Sequence, residues 1–98
     1  MELNFRESDG IVYGTFTGRL DTAEAQVTDT SEFLANADKK IVFDCSGLEF
    51  ISSAGLRLLL ALYKESKAQG GSITLKSVDP SVMRVFKVSA FTHLFTFE

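Results

Sequence analysis

The first twenty residues alternate between apolar and polar positions, a pattern typical of β-strands. Over residues 2 to 7, Leu3 and Phe5 would lie on one side of an extended chain, with polar neighbours on the other. A Ser-Asp-Gly turn follows, and β-branched and aromatic residues then run from residue 11 to about residue 17. Because an Asp-Gly pair between two such runs favours a tight connection, we predict an antiparallel hairpin whose second strand ends at Gly18.

Helical periodicity follows the hairpin. Asp21 with Glu24 three residues later resembles a capping box, and four positions at helical spacing predict a first helix over residues 22 to 37. These positions are Ala23, Val27, Thr30 and Leu34. The next apolar run, residues 41 to 45, is short and contains one aspartate. Its length fits a strand covered on both faces by helices, and we expect it to be the central strand.

The second half of the chain alternates helical and extended patterns. A helix is predicted over residues 54 to 69, ended by two glycines; its apolar face consists of Leu56, Leu59, Leu60 and Tyr63. Residues 72 to 78 alternate as a strand, an Asp-Pro start predicts a third helix ending near Ser89, and residues 93 to 97 can form a last strand. This order predicts one α/β domain spanning residues 1–98. It would have a mostly parallel mixed sheet, an N-terminal antiparallel hairpin and helices packed on the sheet.

Composition narrows the classes of function. The 98 residues are 45% hydrophobic and carry a formal net charge of -3, without the basic cluster that nucleic-acid binding requires. The N-terminus lacks the basic start and apolar run of a signal peptide. The longest apolar run, residues 58 to 63, is far shorter than the roughly 20 residues needed to cross a bilayer. We therefore expect a cytoplasmic protein without membrane insertion. The single cysteine, Cys45, excludes an internal disulfide, and we predict that it is a buried strand residue.

Two serines lie where the apolar strand pattern changes into the pattern of the second helix. Ser52 is predicted to cap that helix, because a helix N-terminus leaves several backbone N–H groups without a partner. For Ser53 the pattern alone leaves two interpretations open. Ser53 is either a small residue of the first helical turn or a functional site favoured by the helix dipole. Asp44 either orients Ser53 through a hydrogen bond or caps backbone N–H groups nearby.

Other chemistries are poorly supported by the residue types. A serine hydrolase would need a base for Ser53, and the only histidine, His93, lies near the C-terminus, while Asp44 alone is a poor base for a hydroxyl. The Gly-x-Ser-x-Gly and phosphate-loop motifs do not occur. One histidine and one cysteine far apart in sequence make no recognisable metal site. We predict a protein that is not an enzyme and has neither a metal nor a cofactor of its own.

Two long segments, IVFDCSGLEFISSAGLRLLLALYKESKAQGG and ITLKSVDPSVMRVFKVSAF, resemble the STAS domain of bacterial anti-sigma factor antagonists. The family pattern is a strand ending in an acidic or polar residue, a loop ending in an aromatic and an aliphatic residue, and then Asp/Ser-Ser-Ala/Ser-Gly-Leu before an apolar helix. Upstream, Gly-Arg-Leu-Asp at residues 18 to 21 resembles the family's entry into its first helix. The chain departs from relatives in Ser52, where many have Asp, in Ala90, where they often have Gly, and in ending at Glu98 without a last helix.

The resemblance implies a phosphorylation site at Ser53. It also implies a partner, an anti-sigma factor with serine kinase activity that would bind the ATP itself, and it allows for a phosphatase. The predicted partner-binding residues are Ser52, Ser53, Ala54, Leu56 and Arg57, supported by Asp44 and Gly55. Arg57 could equally be a solvated helix residue, and we expect Leu59 and Leu60 to be buried.

The resemblance leaves alternative functions open. STAS domains also serve as constitutive adaptor subunits in transport, lipid-trafficking or stress-signalling complexes. A small module that binds an anion or a nucleotide at the same helix N-terminus is a further alternative.

Overall fold

A computed structural model describes residues 2–89 and 93–98. Its elements in chain order are β1 Glu2–Ser8, β2 Ile11–Leu20, α1 Thr22–Val27, α2 Ser31–Ala35, β3 Lys40–Ile51, α3 Ser53–Ala68, β4 Ser72–Lys76, α4 Pro80–Val88 and β5 Thr96–Phe97. The strands form one sheet in the order β1-β2-β3-β4-β5. Only the β1–β2 pair is antiparallel in this sheet, as the sequence predicts.

The N-terminal hairpin is confirmed, but its second strand is longer than predicted. Asp9 and Gly10 both have positive φ angles, 54° and 80°, and connect the paired residues Ser8 and Ile11. These angles suit a two-residue hairpin turn. Gly18 does not end β2, which continues to Leu20 in parallel pairing with β3. The pairing register shifts after Gly18, whose φ of 108° accommodates the irregularity within the strand.

The prediction of one continuous first helix is wrong, because two short helices, α1 and α2, occupy this region. Asp21 caps α1 as expected, its carboxylate accepting a hydrogen bond from the Glu24 N–H at 2.9 Å. α1 ends where the Thr28 hydroxyl donates to the Glu24 carbonyl and the Asp29 carboxylate accepts from the Ser31 N–H. Such local side-chain bonds compete with the helix.

The break between α1 and α2 changes which apolar residues of this region face inward. In α2 the fully buried residue is Phe33, whereas Leu34, expected inside, is 46% exposed. Val27, also on the predicted helical face, is exposed. Because the helix is interrupted, Phe33 packs into the core in place of the residues on the predicted helical face.

The central strand is β3, as predicted, but it extends through the segment expected to be a loop and has one helix-covered face rather than two. A connection between parallel strands of one sheet is almost always right-handed. Here each such connection leads to the next strand in the same direction across the sheet, so the helices in these connections all lie on the same face. Ile41, Phe43 and Cys45 are buried on that face, whereas Asp44 and Ser46 alternate with them on the other face, where Val42 is also buried. The helices cover only one face because the strand order never reverses.

The later elements follow the prediction with shorter strands. α3 ends as two glycines allow: Gly70 has a φ of 82°, and the Gly71 N–H donates to the Ser66 carbonyl at 2.8 Å. β4 stops at Lys76 rather than at residue 78, because Ser77 has a φ of 59°. α4 starts as predicted, with the Asp79 carboxylate accepting from the Ser81 N–H. The last strand comprises only Thr96 and Phe97, and Ala90 lies outside the described residues.

Aromatic rings fill the space between the helices and the sheet. Phe43 lies at the centre, with ring centroids 4.5 Å from Phe16, 5.8 Å from Phe5 and 6.2 Å from Phe33. Gly14 makes room for this ring, since a Cβ there would lie 2.6 Å from a Phe43 ring carbon. Leu59 is buried as predicted, whereas Leu60 is only half-buried.

Candidate functional site

The first turn of α3 is held against the end of β2 by its backbone. The Ser52 N–H donates to the Leu20 carbonyl at 2.9 Å. A Cβ at position 55 would lie 2.6 Å from that same carbonyl oxygen, so only a glycine lets the helix come this close. Gly55, predicted to support the site, therefore has a concrete packing role: it sets the position of the helix start relative to the sheet.

The hydroxyl of Ser52 is committed to the structure. Its Oγ accepts from the Gly55 N–H at 3.2 Å and lies 3.4 Å from the Leu20 carbonyl, to which it donates. Ser52 is the N-cap of α3, as predicted.

Ser53 is the first residue of α3, and its side chain is exposed. Within residues 2–89 and 93–98, its hydroxyl makes no hydrogen bond to the protein. The neighbouring Ala54 is half-buried. Of the two serines, Ser53 is thus the one whose hydroxyl is available to another molecule.

Ser53 opens onto a shallow apolar groove between α3 and α4. The groove has a volume of about 370 Å³ and is lined by Ser53, Leu56, Arg84, Val85, Val88 and Ser89. Leu56 is 6% exposed and forms part of the groove floor, so its predicted contact with a partner stays a prediction. Val88 is 84% exposed and adds an aliphatic side chain to the edge of the groove.

Sequence reasoning missed the α4 side of this groove. On α4, Val82 and Phe86 are buried against the core. Val88 lies off that buried face, and a fifth apolar position on a nine-residue helix was the available signal.

Two further side chains near the start of α3 are exposed. Arg57 lies one turn after Ser53 and is exposed, so both predicted readings, interface residue and solvated residue, remain compatible with its position. Phe50 near the end of β3 is partly exposed, and the Arg19 guanidinium lies over its ring at 4.4 Å from the centroid. Sequence reasoning did not identify the Arg19–Phe50 pair.

Asp44 does not reach Ser53. Its carboxylate accepts from the Ser46 N–H at 2.9 Å, and this bond, together with a weaker contribution from the Ser46 side chain, lowers the pKa of Asp44. The residue lies on the open face of the sheet, in register with Thr15 and Lys76, whereas Ser53 begins a helix on the opposite face. Of its two predicted roles, the structure supports local capping.

Several other chemistries find no site in the described residues. No group of three or more His, Cys, Asp and Glu side chains is placed to hold a metal ion. Burial raises the pKa of Cys45 to about 12, so its thiol stays protonated at neutral pH, as expected for a buried strand residue. Within the described ranges, no helix combines the length and apolar character needed to cross a membrane.

Comparisons with known proteins assign a family to this arrangement. A family model described as "STAS domain" matches residues 2–98. The chain is 33% identical over 98 residues to BtrV of Bordetella bronchiseptica, a protein provisionally described as an anti-sigma factor antagonist, and the match covers 97% of this chain and 84% of that protein.

Solved structures agree on the fold. An anti-sigma-factor antagonist (STAS) domain protein from Planctomyces limnophilus superposes with a TM-score of 0.83 at 24% identity, covering 97% of this chain and 87% of that one. The phosphorylated form of the Bacillus cell fate determinant SpoIIAA gives a TM-score of 0.68 at 19% identity, covering 99% and 91%. At these identities the likeness concerns the fold, a mixed sheet with an N-terminal hairpin and helices.

Proposed function

Because the chain belongs to the STAS domain family, we propose that it is an anti-sigma factor antagonist of the cytoplasm. In its unphosphorylated state it binds an anti-sigma factor with serine kinase activity and so frees a sigma factor. Phosphorylation of Ser53 by that partner, which supplies the ATP, ends the binding. The protein itself catalyses nothing and needs no cofactor.

The observation that carries this proposal is the contrast between the two serine hydroxyls. Ser52 uses its hydroxyl to cap α3, whereas the Ser53 hydroxyl is exposed beside the apolar groove. A kinase can modify Ser53 without breaking a bond of the fold, and a partner seated on the groove would contact it. The name of the Bordetella relative and the phosphorylated form in which SpoIIAA was solved support the same function for this chain.

Electrostatics explain how the modification would act. A phosphoserine carries about -1.5 to -2 charges at neutral pH and three strong acceptor oxygens. The N-terminus of α3 tolerates such a charge because its dipole and free N–H groups favour anions. A partner covering Ser53 would have to desolvate the phosphate, which is costly without a matching cation. The switch therefore acts on the interface and leaves the fold unchanged.

The residues proposed to form the binding site have different roles. Ser53 and Arg57 are exposed and would touch the partner directly, and Ala54 is half-buried beside them. Ser52 and Gly55 hold the helix start in place.

The proposal is tested by measuring affinity for anti-sigma factors of the same organism, using isothermal titration calorimetry. The wild type and Ser53→Ala are expected to bind alike, and Ser53→Asp to bind at least about tenfold more weakly. Ser31→Asp is the matched control, since it puts the same charge on the first residue of α2, outside the groove. Equal affinity of Ser53→Ala and Ser53→Asp would refute the switch.

Mass spectrometry of the protein purified from its own cells tests the modification itself. Phosphate is expected on Ser53 in at least one growth state. Its absence in every growth state, combined with stable partner binding, would favour a constitutive STAS adaptor instead.

A further inference from the structure

The two helices that border the groove carry more basic than acidic side chains, although the chain is acidic overall. The protein has a formal net charge of -3. Yet the first twelve residues of α3 and all of α4 contain no Asp or Glu, and every charged side chain in them is basic. These side chains are Arg57, Lys64, Arg84 and Lys87. Positive charge is therefore concentrated on the two helices that border Ser53.

One of these basic residues lines the groove itself. Arg84 borders the groove together with Ser53 and the aliphatic side chains of Val85 and Val88. Its side chain is exposed, and within the described part of the chain no carboxylate lies within ion-pairing distance of it. The groove thus combines an apolar surface with an arginine that has no acidic partner.

We propose that this groove, the docking surface of the function proposed above, selects a partner segment carrying an apolar side chain next to a carboxylate. The apolar side chain packs on Val85 and Val88, and the carboxylate pairs with Arg84, which can bind it through two parallel hydrogen bonds. Charge complementarity favours an acidic partner surface over a basic one.

The same arginine links docking to phosphorylation. Ser53 and Arg84 line one groove, and we expect a phosphate on Ser53 to interact with the Arg84 guanidinium across it. Phosphate and partner carboxylate then compete for a single cation. Phosphorylation removes the partner's ionic contact in addition to adding a charge that the partner must desolvate.

The proposal that the partner docks in the groove is tested with the anti-sigma factor that binds the wild type. Arg84→Gln and Val88→Ser are each expected to weaken binding about tenfold or more, because one removes the cation and the other the apolar contact. Lys87→Gln is the matched control, since it removes a neighbouring charge of α4 that does not line the groove. Wild-type affinity should fall with rising salt, and less so for Arg84→Gln. Unchanged affinity of Arg84→Gln and Val88→Ser would overturn the proposal.

The phosphate half needs no partner. In protein carrying phosphoserine at position 53, a ³¹P NMR titration is expected to give a second phosphate pKa below the ordinary value of about 6. The pKa should rise in Arg84→Gln and stay at the wild-type value in Lys87→Gln. Identical titrations of the wild type and Arg84→Gln would exclude Arg84 as the contact of the phosphate.

The binding measurements and the NMR titration together distinguish a failure of the proposed function from a failure of the proposed groove. If no anti-sigma factor binds the wild type, the proposed function fails, and the titration still decides whether Arg84 contacts the phosphate. If Ser53→Asp abolishes binding while Arg84→Gln and Val88→Ser do not, the function holds and the groove is not the docking surface. Concentration-dependent dimerisation that Val88→Ser abolishes would make a second copy the occupant and overturn the partner assignment.

Discussion

Ser52 and Ser53 are neighbours with identical side chains and different physical environments. The Ser52 hydroxyl lies between the Gly55 N–H and the Leu20 carbonyl, whereas the Ser53 hydroxyl faces outward beside the groove. A step of one residue at the start of α3 is enough to separate a structural hydroxyl from an available one. At the scale of single residues, function thus depends on which polar groups the fold has already used.

Two serine-to-alanine substitutions compare a hydroxyl that the fold uses, at Ser52, with a buried one that it leaves unbonded, at Ser66. Ser52→Ala should lower the free energy of unfolding by about 1 kcal/mol, because it removes the N-cap. Ser66→Ala should leave that free energy unchanged or raise it by a few tenths of a kcal/mol. The Ser66 hydroxyl is buried and has no hydrogen-bond partner in the described residues. Urea denaturation followed by circular dichroism measures both, and a larger loss for Ser66→Ala than for Ser52→Ala would contradict the assignment.

Cys45 should be unreactive in the folded protein. Its pKa is raised to about 12 by burial and then by the nearby charge of Asp44. The unfolded thiol has a pKa of about 8.5, so above that pH only the unfolded chain loses the proton and stability falls by up to about 1.4 kcal/mol per pH unit. Disulfide-exchange labelling at pH 8 should be limited by unfolding. The pH dependence above 8.5 should flatten in Cys45→Ala, and a steep slope retained in that variant would count against the thiol as its cause.

At the scale of elements, the site depends on how closely α3 approaches the sheet. The helix start is bonded to the Leu20 carbonyl at the end of β2, and β3 delivers the chain to it without an intervening loop. Local signals predicted the ends of α3 correctly, since a serine cap and a glycine stop are short-range features. Periodicity overextended the first helix, because it ignored that the Thr28 hydroxyl and the Asp29 carboxylate bond to the backbone.

Gly55→Ala tests the close approach. Alanine is the better helix former by about 1 kcal/mol, but its Cβ would meet the Leu20 carbonyl oxygen at 2.6 Å. We expect the clash to prevail and the free energy of unfolding to fall by about 1–3 kcal/mol. Ala61→Gly, at an exposed position of the same helix, is the matched control and should cost only the propensity difference. A stabilised Gly55→Ala protein would show that the helix can shift away from β2 at little cost.

At the scale of the whole molecule, the sheet has one face covered by helices and one open face. The strand order never reverses, so every crossover adds a helix to the same face, and that face also carries Ser53 and the groove. The hydrophobic core lies between the helices and the sheet, whereas the Ser53 side chain is exposed on the outer surface. A charge added at Ser53 is therefore expected to change the surface and leave the packing of the core intact.

Ser53→Asp tests this expectation without any partner. A carboxylate in the first turn interacts favourably with the helix dipole, so the free energy of unfolding should stay the same or rise by about 0.3–1 kcal/mol at low salt. Ser53→Lys should lower it by a similar amount, and both effects should shrink with added salt. A loss of more than about 1 kcal/mol in Ser53→Asp would mean that modification acts through the fold.

The amino-acid sequence by itself determined the features that depend on neighbouring residues. These are the Asp9-Gly10 hairpin, the caps Asp21, Ser52 and Asp79, the glycine stop of α3 and the parallel order of the later strands. Each rests on bonds or dihedral angles spanning a few residues, or on the short connections of βαβ units.

Only the tertiary structure decided the extent of β3, the one-sided sheet and the groove. Residues 46 to 51 become strand because β2 offers a partner that continues to Leu20. Ser53 lies at the same groove as Arg84 and Val88 because the fold brings the start of α3 and the last turns of α4 to one place on the covered face. These residues are about thirty positions apart, and no local pattern encodes such a distance. The serine could thus be found in the sequence, but its surroundings are set by non-local packing.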